Sequence, residues 1–297
     1  MTAKAGIFVA LAAFALSYVA VFVASLRRSH AWDGSAPWAH RFLYLSTGFV
    51  TNFFDTLGIG SFATTTAIFK FKRMLPDELI PGTLNAGHTL PVIFQAFIYI
   101  AVIEVDVRTL VLLIASASVG AWVGAGLVAG LSRRVVQFSM GGALVAAAVA
   151  LLARQFDLFP LGGEALRLEG WRLIAGMTGT FVFGAVSTLG VGFYAPCMTL
   201  VSLLGMNPAA AFPIMMGSAA FLMPVASIRF VWRDAYYAPV AAGLAVGGLL
   251  GVPLAAFVVK SIPLTGLRWL VIVVVLYAAV LMLRSAFEAR ATLLKPR

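Results

Sequence analysis

Two glycine-rich pentapeptides carry the residues of this sequence that are best suited to holding an anion. Residues 56–60 read Thr-Leu-Gly-Ile-Gly, and residues 188–192 read Thr-Leu-Gly-Val-Gly. Glycine allows positive φ angles and a close approach of the backbone to a ligand, and successive exposed N–H groups at such a turn form an anion-binding nest. A helix that begins after the turn adds its positive N-terminal end. We call the two pentapeptides the first and second tips.

Hydroxyl groups that can donate to the same anion lie beside both tips. Two opposed tips would form one shared cavity lined by donors without a full positive charge, which suits an oxyanion such as a sulfonate or sulfite. The alternative is that the glycines only permit tight helix packing, as small residues often do in membranes. The candidate anion-binding residues at the tips are Thr56, Gly58, Gly60, Ser61, Thr65, Thr188, Gly190, Gly192 and Tyr194.

A second set of polar residues lies in segments that are otherwise apolar. Asp55 is the only acid deep within such a segment, and its counterpart in the second copy of the motif is Ser187. Because carboxylates within membranes are costly and usually functional, Asp55 either carries a coupling proton or anchors the first tip. Asn85 and His88 share one helix face by their spacing, and Ser218 lies in the counterpart region. We include these last three among the substrate-binding candidates, although a lone buried histidine is often a packing residue.

The sequence offers no constellation for catalysis or for metal binding. Cys197 is the only cysteine, which excludes an internal disulfide and any multi-cysteine zinc or iron–sulfur site. Asp55, His88 and Cys197 fall on separate segments, without a zinc-ligand pair or a nucleophile motif beside them. We therefore predict no catalytic residue, no metal and no cofactor. The alternative functions are an intramembrane enzyme that uses Asp55 or His88, and an anion channel.

Composition defines the elements that must position these residues. Of the 297 residues, 62% are apolar and only 11% are charged, against about 25% charged in a typical soluble domain. Such a chain cannot cover itself with polar surface in water, so we predict an all-α polytopic protein in a lipid bilayer. The net charge of +10 is explained by cations gathered in cytoplasmic loops rather than by a nucleic-acid partner.

Apolar runs give the expected membrane spans. About 20 apolar residues are needed to cross about 30 Å of hydrocarbon. Residues 41–71 and 171–205 contain the tips near their middles, which predicts helical hairpins broken by glycine inside the membrane. Unwound backbone at that depth is tolerated only against protein or a water-filled cavity. The uninterrupted runs are 6–26, 83–103, 109–131, 135–153, 208–230, 238–259 and 266–283.

An internal duplication relates the two halves of the chain. The tips start 132 residues apart, and the same offset matches Pro81 to Pro213. Further on, the glycine pair at 120 and 124 matches the pair at 247 and 251. The predicted organisation is an extra N-terminal transmembrane helix with a cytoplasmic loop (1–40), a first repeat (41–154), an extracytoplasmic linker (155–170), a second repeat (171–287) and a cytoplasmic tail (288–297).

The distribution of cations predicts the orientation. With the N-terminus outside and the C-terminus in the cytoplasm, about two thirds of the lysines and arginines fall on the cytoplasmic side, as the positive-inside rule requires. Each half then holds one returning hairpin and three crossings, so the halves have opposite orientations. Inverted halves with broken helices at matching positions are typical of secondary transporters.

These motifs resemble those of the TauE/SafE family of sulfite and sulfonate exporters, also called the toluene sulfonate uptake permease family. The resemblance covers residues 41–287. It rests on 54–60 followed by Pro81-Gly82-Thr83, and on 188–192 with Pro196. It implies membrane transport of sulfur-containing or carboxylate anions, mostly outward, by inverted repeats.

The predicted function is therefore export of small organic sulfonates, sulfite or related oxyanions by alternating access. The anion is expected to bind between the tips near the membrane midplane, and rocking of the halves would expose it to each side in turn. The expected location is a bacterial-type plasma (inner) membrane. Coupling to protons or sodium and assembly as a homodimer are both compatible with this prediction.

Overall fold

The computed structural model describes residues 3–29, 38–57, 59–128, 131–158, 163–188, 193–207 and 210–258, with isolated positions between 269 and 287. In these ranges every extended regular element is a helix, as predicted. The α-helices are α1 (Ala3–Arg28), α2 (Trp38–Thr56), α3 (Ser61–Lys72), α4 (Ile80–Val102), α5 (Val107–Val128), α6 (Arg133–Gln155), α7 (Gly170–Ser187), α8 (Tyr194–Leu203), α9 (Ala211–Trp232) and α10 (Ala238–Pro253). A 3-10 turn (Asp77–Leu79) precedes α4, and a π-helical segment (Leu254–Val258) follows α10.

Five of these helices are long and apolar enough to cross a membrane. They are α1, α4, α5, α9 and α10, the last with its π-helical extension. The predicted class of polytopic helical membrane protein is thereby confirmed. The predicted run at 135–153 falls within α6, whose apolar part, Arg134–Ala150, is shorter than the five spans. Ten of the 18 residues in the last predicted run, 266–283, lie outside the described residues.

Three loops meet at one end of the bundle. Asp106 caps α5, because its Oδ1 accepts hydrogen bonds from the Thr109 backbone N–H and hydroxyl, both at 2.8 Å. The backbone bond from Thr109 lowers the pKa of Asp106 below its ordinary value. Leu168 N donates to Thr109 Oγ1 at 3.0 Å, which ties the linker to the same turn. The linker also exchanges backbone hydrogen bonds with residues 205–207.

The opposite end gathers the loops after α3, α5 and α9. Lys70 Nζ lies 2.8 Å from Asp77 Oδ1, and Gln137 Nε2 donates to Asp77 Oδ2 at 2.7 Å. Arg233 Nη1 donates to the Gly126 carbonyl at 2.7 Å. The two ends are thus built from alternate loops of the chain, as successive membrane crossings require.

Glycines allow α5 and α7 to pack with their backbones in close approach. A Cβ added at Gly120 would collide with the Phe181 carbonyl oxygen, and one at Gly124 with the Ala185 carbonyl oxygen. Small residues four apart commonly line such helix contacts in membranes. Because the contacting residue numbers rise together, the two helices run parallel.

The same arrangement joins α10 to α2. A Cβ at Gly247 or Gly251 would collide with the carbonyl oxygen of Leu45 or Phe49, respectively. These are the two glycines that the sequence matches to the pair on α5. Each close helix pair therefore joins a helix of the first half to a helix of the second.

The order and packing of the helices occur twice along the chain. Helices α2, α3, α4 and α5 begin between 131 and 133 residues before α7, α8, α9 and α10. The main packing pairs also correspond when each helix of the first set is replaced by its counterpart in the second. The pair α2–α10 corresponds to α7–α5, and the pair α4–α10 corresponds to α9–α5. In the central pair, α4 packs against its own counterpart, α9.

Helix α1 precedes the first repeat and packs against the centre of the bundle. The Tyr18 hydroxyl is buried and donates to the Ala86 carbonyl on α4 at 2.6 Å. Ser25 and Tyr236 hydrogen-bond through their hydroxyls at 2.6 Å, and the Phe8 ring stacks on Phe97. The extra helix is thus held by specific contacts along most of its length.

Candidate functional site

The first tip interrupts the chain between α2 and α3. Gly60 precedes α3 with a φ of 95°, which is accessible to glycine and strained for other residues. A Cβ at Gly60 would meet nothing within 4 Å, so the backbone angle rather than crowding requires glycine there. Gly58 lies outside the described residues.

Asp55 lies buried on the last turn of α2, beside the first tip. Its Oδ2 accepts hydrogen bonds from Gln95 Nε2 at 3.0 Å and from the Tyr194 hydroxyl at 3.3 Å. Its Oδ1 is also buried and accepts no well-formed hydrogen bond, although the Ser61 backbone N–H and hydroxyl face the carboxylate. Hydrogen-bond donors therefore surround this carboxylate.

Tyr194 connects the start of α8 to the end of α2. It is the first residue of α8, two residues after the second tip in the sequence, and its hydroxyl also lies 3.2 Å from Gln95 Oε1. On the other side, Gln95 Nε2 donates to Thr56 Oγ1 at 3.0 Å, and the Tyr99 hydroxyl donates to the Thr56 carbonyl at 2.7 Å. We refer to these residues as the Asp55 cluster: Asp55, Thr56, Ser61, Gln95, Tyr99 and Tyr194.

Two members of this cluster, Gln95 and Tyr99, are absent from the candidates chosen by sequence. Both come from α4, which the sequence marked through Asn85 and His88. Residues 88, 95 and 99 share one face of a helix by their spacing, and this was the signal available in the sequence. Glutamine is also unusual within an apolar run of this kind.

Asp55 has no cationic partner among the described residues. A buried charge without a partner is costly. The other polar groups in the cluster are amides and hydroxyls, so the site offers hydrogen-bond donors without a fixed positive charge. Such a site can hold an anion only if the carboxylate itself does not repel it.

His88 belongs to a separate network, which ties α2, α3 and α4 together. Asn52 Nδ2 donates to the Gly48 carbonyl at 2.8 Å, which leaves Asn52 Oδ1 as an acceptor 3.0 Å from His88 Nδ1. Nδ1 therefore carries a proton, and Nε2 lies 3.0 Å from the Thr65 hydroxyl. Both ring nitrogens have partners within the protein, which favours a packing role for His88 and for Thr65.

Three other candidates lie apart from the Asp55 cluster in their hydrogen bonding. Asn85 Nδ2 donates to the Pro81 carbonyl at 2.9 Å, while Asn85 Oδ1 and the Ser218 hydroxyl are buried without a hydrogen bond. The Thr188 hydroxyl donates to the Ala185 carbonyl of its own helix at 2.7 Å. Gly190 and Gly192 lie outside the described residues, as does most of the second tip.

The described residues form an all-helical bundle with several helices long and apolar enough to cross a membrane, which defines the class of a polytopic membrane protein. The model of the sulfite exporter TauE/SafE family matches residues 44–282, and the chain belongs to that family. The resemblance predicted from the tips is confirmed. No curated protein and no solved structure matches the chain. Membership of a transporter family agrees with the prediction that the protein is not an enzyme.

Proposed function

We propose that this protein exports small organic sulfonates, sulfite or related oxyanions across a bacterial inner membrane by alternating access. The observation that supports the site most directly is the contact between Asp55 and Tyr194. It joins Asp55, directly before the first tip, to Tyr194, two residues after the second tip. An anion between the tips would therefore meet groups from both halves of the protein.

The chemistry of the Asp55 cluster suits an oxyanion that must also be released. Gln95 Nε2, the Tyr194 hydroxyl and the Ser61 hydroxyl are donors that a sulfonate or sulfite oxygen accepts. Helices α3 and α8 both begin beside the cluster, so their positive N-terminal ends add to the attraction. Because the Asp55 cluster contains no lysine or arginine, a bound anion would not be held there by a permanent ion pair.

The packing suggests which parts move during alternating access. The close pairs α2–α10 and α5–α7 each cross between the halves, so the halves cannot rock as two separate bodies without breaking them. We propose instead that one body contains α2, α4 and α10 and the other contains α5, α7 and α9. The bodies meet where α4 packs on α9, and each of these helices has an internal proline, Pro91 or Pro224.

The repeated helix order supports an inverted duplication as the origin of this arrangement. The first repeat would run from 41 to 154 and the second from 171 to 287, with the N-terminus outside and the C-terminus in the cytoplasm. The equivalence of the packing pairs is what a pseudo-two-fold axis between α4 and α9 would produce.

Of the alternatives, an intramembrane enzyme gains no support from the geometry. Asp55 and His88 share no hydrogen-bond partner among the described residues, since Asp55 is bonded to Gln95 and Tyr194 and His88 to Asn52 and Thr65. An anion channel would use the same donors, and saturable counterflow of a labelled anion in proteoliposomes distinguishes a carrier from it.

A substitution at the first tip tests the proposed site. Gly60→Val places a β-branched residue at a φ of 95°, a strain of about 1–3 kcal/mol. We expect the affinity for sulfite and methanesulfonate to fall at least about tenfold, which corresponds to about 1.4 kcal/mol. The measurement is equilibrium binding to monodisperse protein in detergent.

The matched control is Gly142→Val on α6, where an added Cβ would meet nothing within 4 Å. It should leave binding unchanged. We expect Gly58→Val and Gly190→Val to lower the anion affinity by the same factor as Gly60→Val. If the purified Gly60→Val protein binds these anions with unchanged affinity, the tip glycines serve helix packing only and do not line a binding site.

A further inference from the structure

The Asp55 carboxylate occupies the donors that a bound oxyanion would need. Its Oδ2 accepts from Gln95 Nε2 at 3.0 Å and from the Tyr194 hydroxyl at 3.3 Å. The Tyr194 hydroxyl has a single proton and lies between two acceptors, Asp55 Oδ2 and Gln95 Oε1, so it serves one of them at a time. While the carboxylate is charged, neither donor is available to another anion.

Charge adds to this competition. An oxyanion at the tips and a charged Asp55 would be like charges in a buried site, which disfavours having both ionised. The titratable groups that face Asp55 are Tyr99 on α4 and Tyr194 on α8. Neither supplies a positive charge.

The remaining elements packed on α2 do not supply a counter-charge either. Helix α10 contains no titratable residue. On α4, His88 is turned toward Asn52 and Thr65. On α3, Lys70 pairs with Asp77 at the end of the helix away from the first tip, and Arg41 lies near the opposite end of α2 from Asp55. No cation among the residues that the structure describes neutralises Asp55, so the neutralising proton is expected to come from solution.

We propose that an oxyanion binds at the tips only when Asp55 is protonated, so that each anion crosses the membrane together with one proton. This inference rests on the transport function proposed above. A proton from water on the side to which the site is open joins the carboxylate and gives the neutral acid. Gln95 Nε2 and the Tyr194 hydroxyl then turn to the anion, and on the opposite side the anion leaves and the proton returns to water.

The geometry also indicates whether the proton and the anion move in the same direction or in opposite directions. An antiporter would have to bind the anion with Asp55 charged, when its donors are occupied and its charge repels the anion. Shared donors therefore favour movement of proton and anion in the same direction. For a sulfonate with a single negative charge, one proton and one anion then cross together, so a complete transport cycle moves no net charge across the membrane.

The test uses the full chain in sodium-free proteoliposomes with a trapped pH-sensitive dye. The membrane potential is clamped with potassium and valinomycin, and an outward gradient of methanesulfonate is imposed, because this anion stays singly charged over the pH range used. We expect the lumen to become alkaline, with about one proton leaving for each sulfonate. In binding assays, the apparent Kd of the wild type should rise about tenfold per pH unit on the alkaline side.

Two variants separate the roles within the site. Asp55→Asn should retain saturable methanesulfonate counterflow, lose the proton movement and bind with a Kd that no longer depends on pH. Gln95→Leu should weaken binding about tenfold and keep the ratio of one proton per anion, since the carboxylate remains. The matched control is Gln137→Leu, which removes an equally buried amide that donates to a different carboxylate, Asp77. It should change neither the Kd nor the ratio.

Wild-type flux of methanesulfonate without proton movement, or flux that requires sodium, would overturn the coupling and leave the transport function standing. Absence of saturable binding and flux for both methanesulfonate and sulfite would overturn the transport function, and the inference with it. If Asp55→Asn fails to fold, the proton-to-anion ratio and the pH dependence of the Kd in the wild type still test whether each anion moves with a proton.

Discussion

At the scale of single residues, the partners of a buried polar group decide its role, and its type alone does not. Asp55 and His88 are both fully buried ionisable residues beside the first tip. Both nitrogens of His88 are paired within one half of the protein, whereas Asp55 shares donors with the other half through Tyr194. We therefore assign His88 to the framework and Asp55 to the site.

A substitution of His88 tests this division. His88→Leu leaves Asn52 Oδ1 and the Thr65 hydroxyl without their partner, which costs about 1–3 kcal/mol for each buried group left unpaired. We expect a lower midpoint of thermal unfolding, with methanesulfonate affinity and its pH dependence unchanged in the folded protein. A flattened pH dependence of binding in a stable His88→Leu protein would instead make His88 a proton carrier.

Four of the six residues of the Asp55 cluster were candidates from the sequence. Asp55, Thr56, Ser61 and Tyr194 could be selected because they flank the tips, where glycine marks a break in the helix. Gln95 reaches the same cluster only because α4 packs beside the break, and a contact of that kind between distant segments is not encoded in local spacing. The proposed framework role of His88 likewise depends on Asn52, which lies four residues before the first tip and was not among the candidates.

At the scale of helices, four glycines determine how closely the two halves approach. The sequence matched the pair on α5 to the pair on α10 and so identified corresponding helices. It did not identify their partners, because a repeat in the sequence shows which segments are equivalent and not which are adjacent. The exchange of partners between halves is therefore information that only the structure supplies.

The glycine contacts can be tested with a matched pair of substitutions. Gly120→Ala places a Cβ against the Phe181 backbone carbonyl, whereas Gly142→Ala places one in open space. Overpacking of this kind costs about 1–3 kcal/mol, while alanine in place of an unhindered helical glycine stabilises by up to about 1 kcal/mol. Thermal unfolding in detergent should therefore shift down for Gly120→Ala and up for Gly142→Ala. Equal shifts would show that the α5–α7 contact is looser than the structure indicates.

At the scale of the whole molecule, exposed tryptophans mark the two ends of the bundle. Trp38 and Trp232 lie at one end and Trp171 at the other, each about 70% exposed. Tryptophan is enriched at both interfaces of a membrane, so these side chains indicate where the hydrocarbon stops. The fold class and the approximate spans were predictable from apolar run lengths. The bounds of the short helices α3 and α8 were harder to predict, because a helix of half the usual length inside a membrane resembles a buried loop in composition.

The orientation of the ends is open to a cysteine-accessibility scan in a Cys197→Ser background. Glu104→Cys and Glu164→Cys lie at the end that the charge distribution places outside, and both positions are exposed. Lys72→Cys and Arg233→Cys are exposed at the opposite end. In intact cells, a membrane-impermeant maleimide should label the first two and spare the last two. The reverse pattern would invert the predicted topology.

The exchange of helix partners also has a consequence during synthesis. Helix α2 leaves the ribosome early, yet the helix that covers its face, α10, follows roughly 200 residues later, about ten to forty seconds at ordinary elongation rates. During that interval its polar positions Thr51, Asn52 and Asp55, all buried in the finished protein, have no α10 beside them. We therefore expect the first half to be unstable in the membrane until the second half is made. Separately expressed halves should for the same reason be degraded alone and recovered when they are made together.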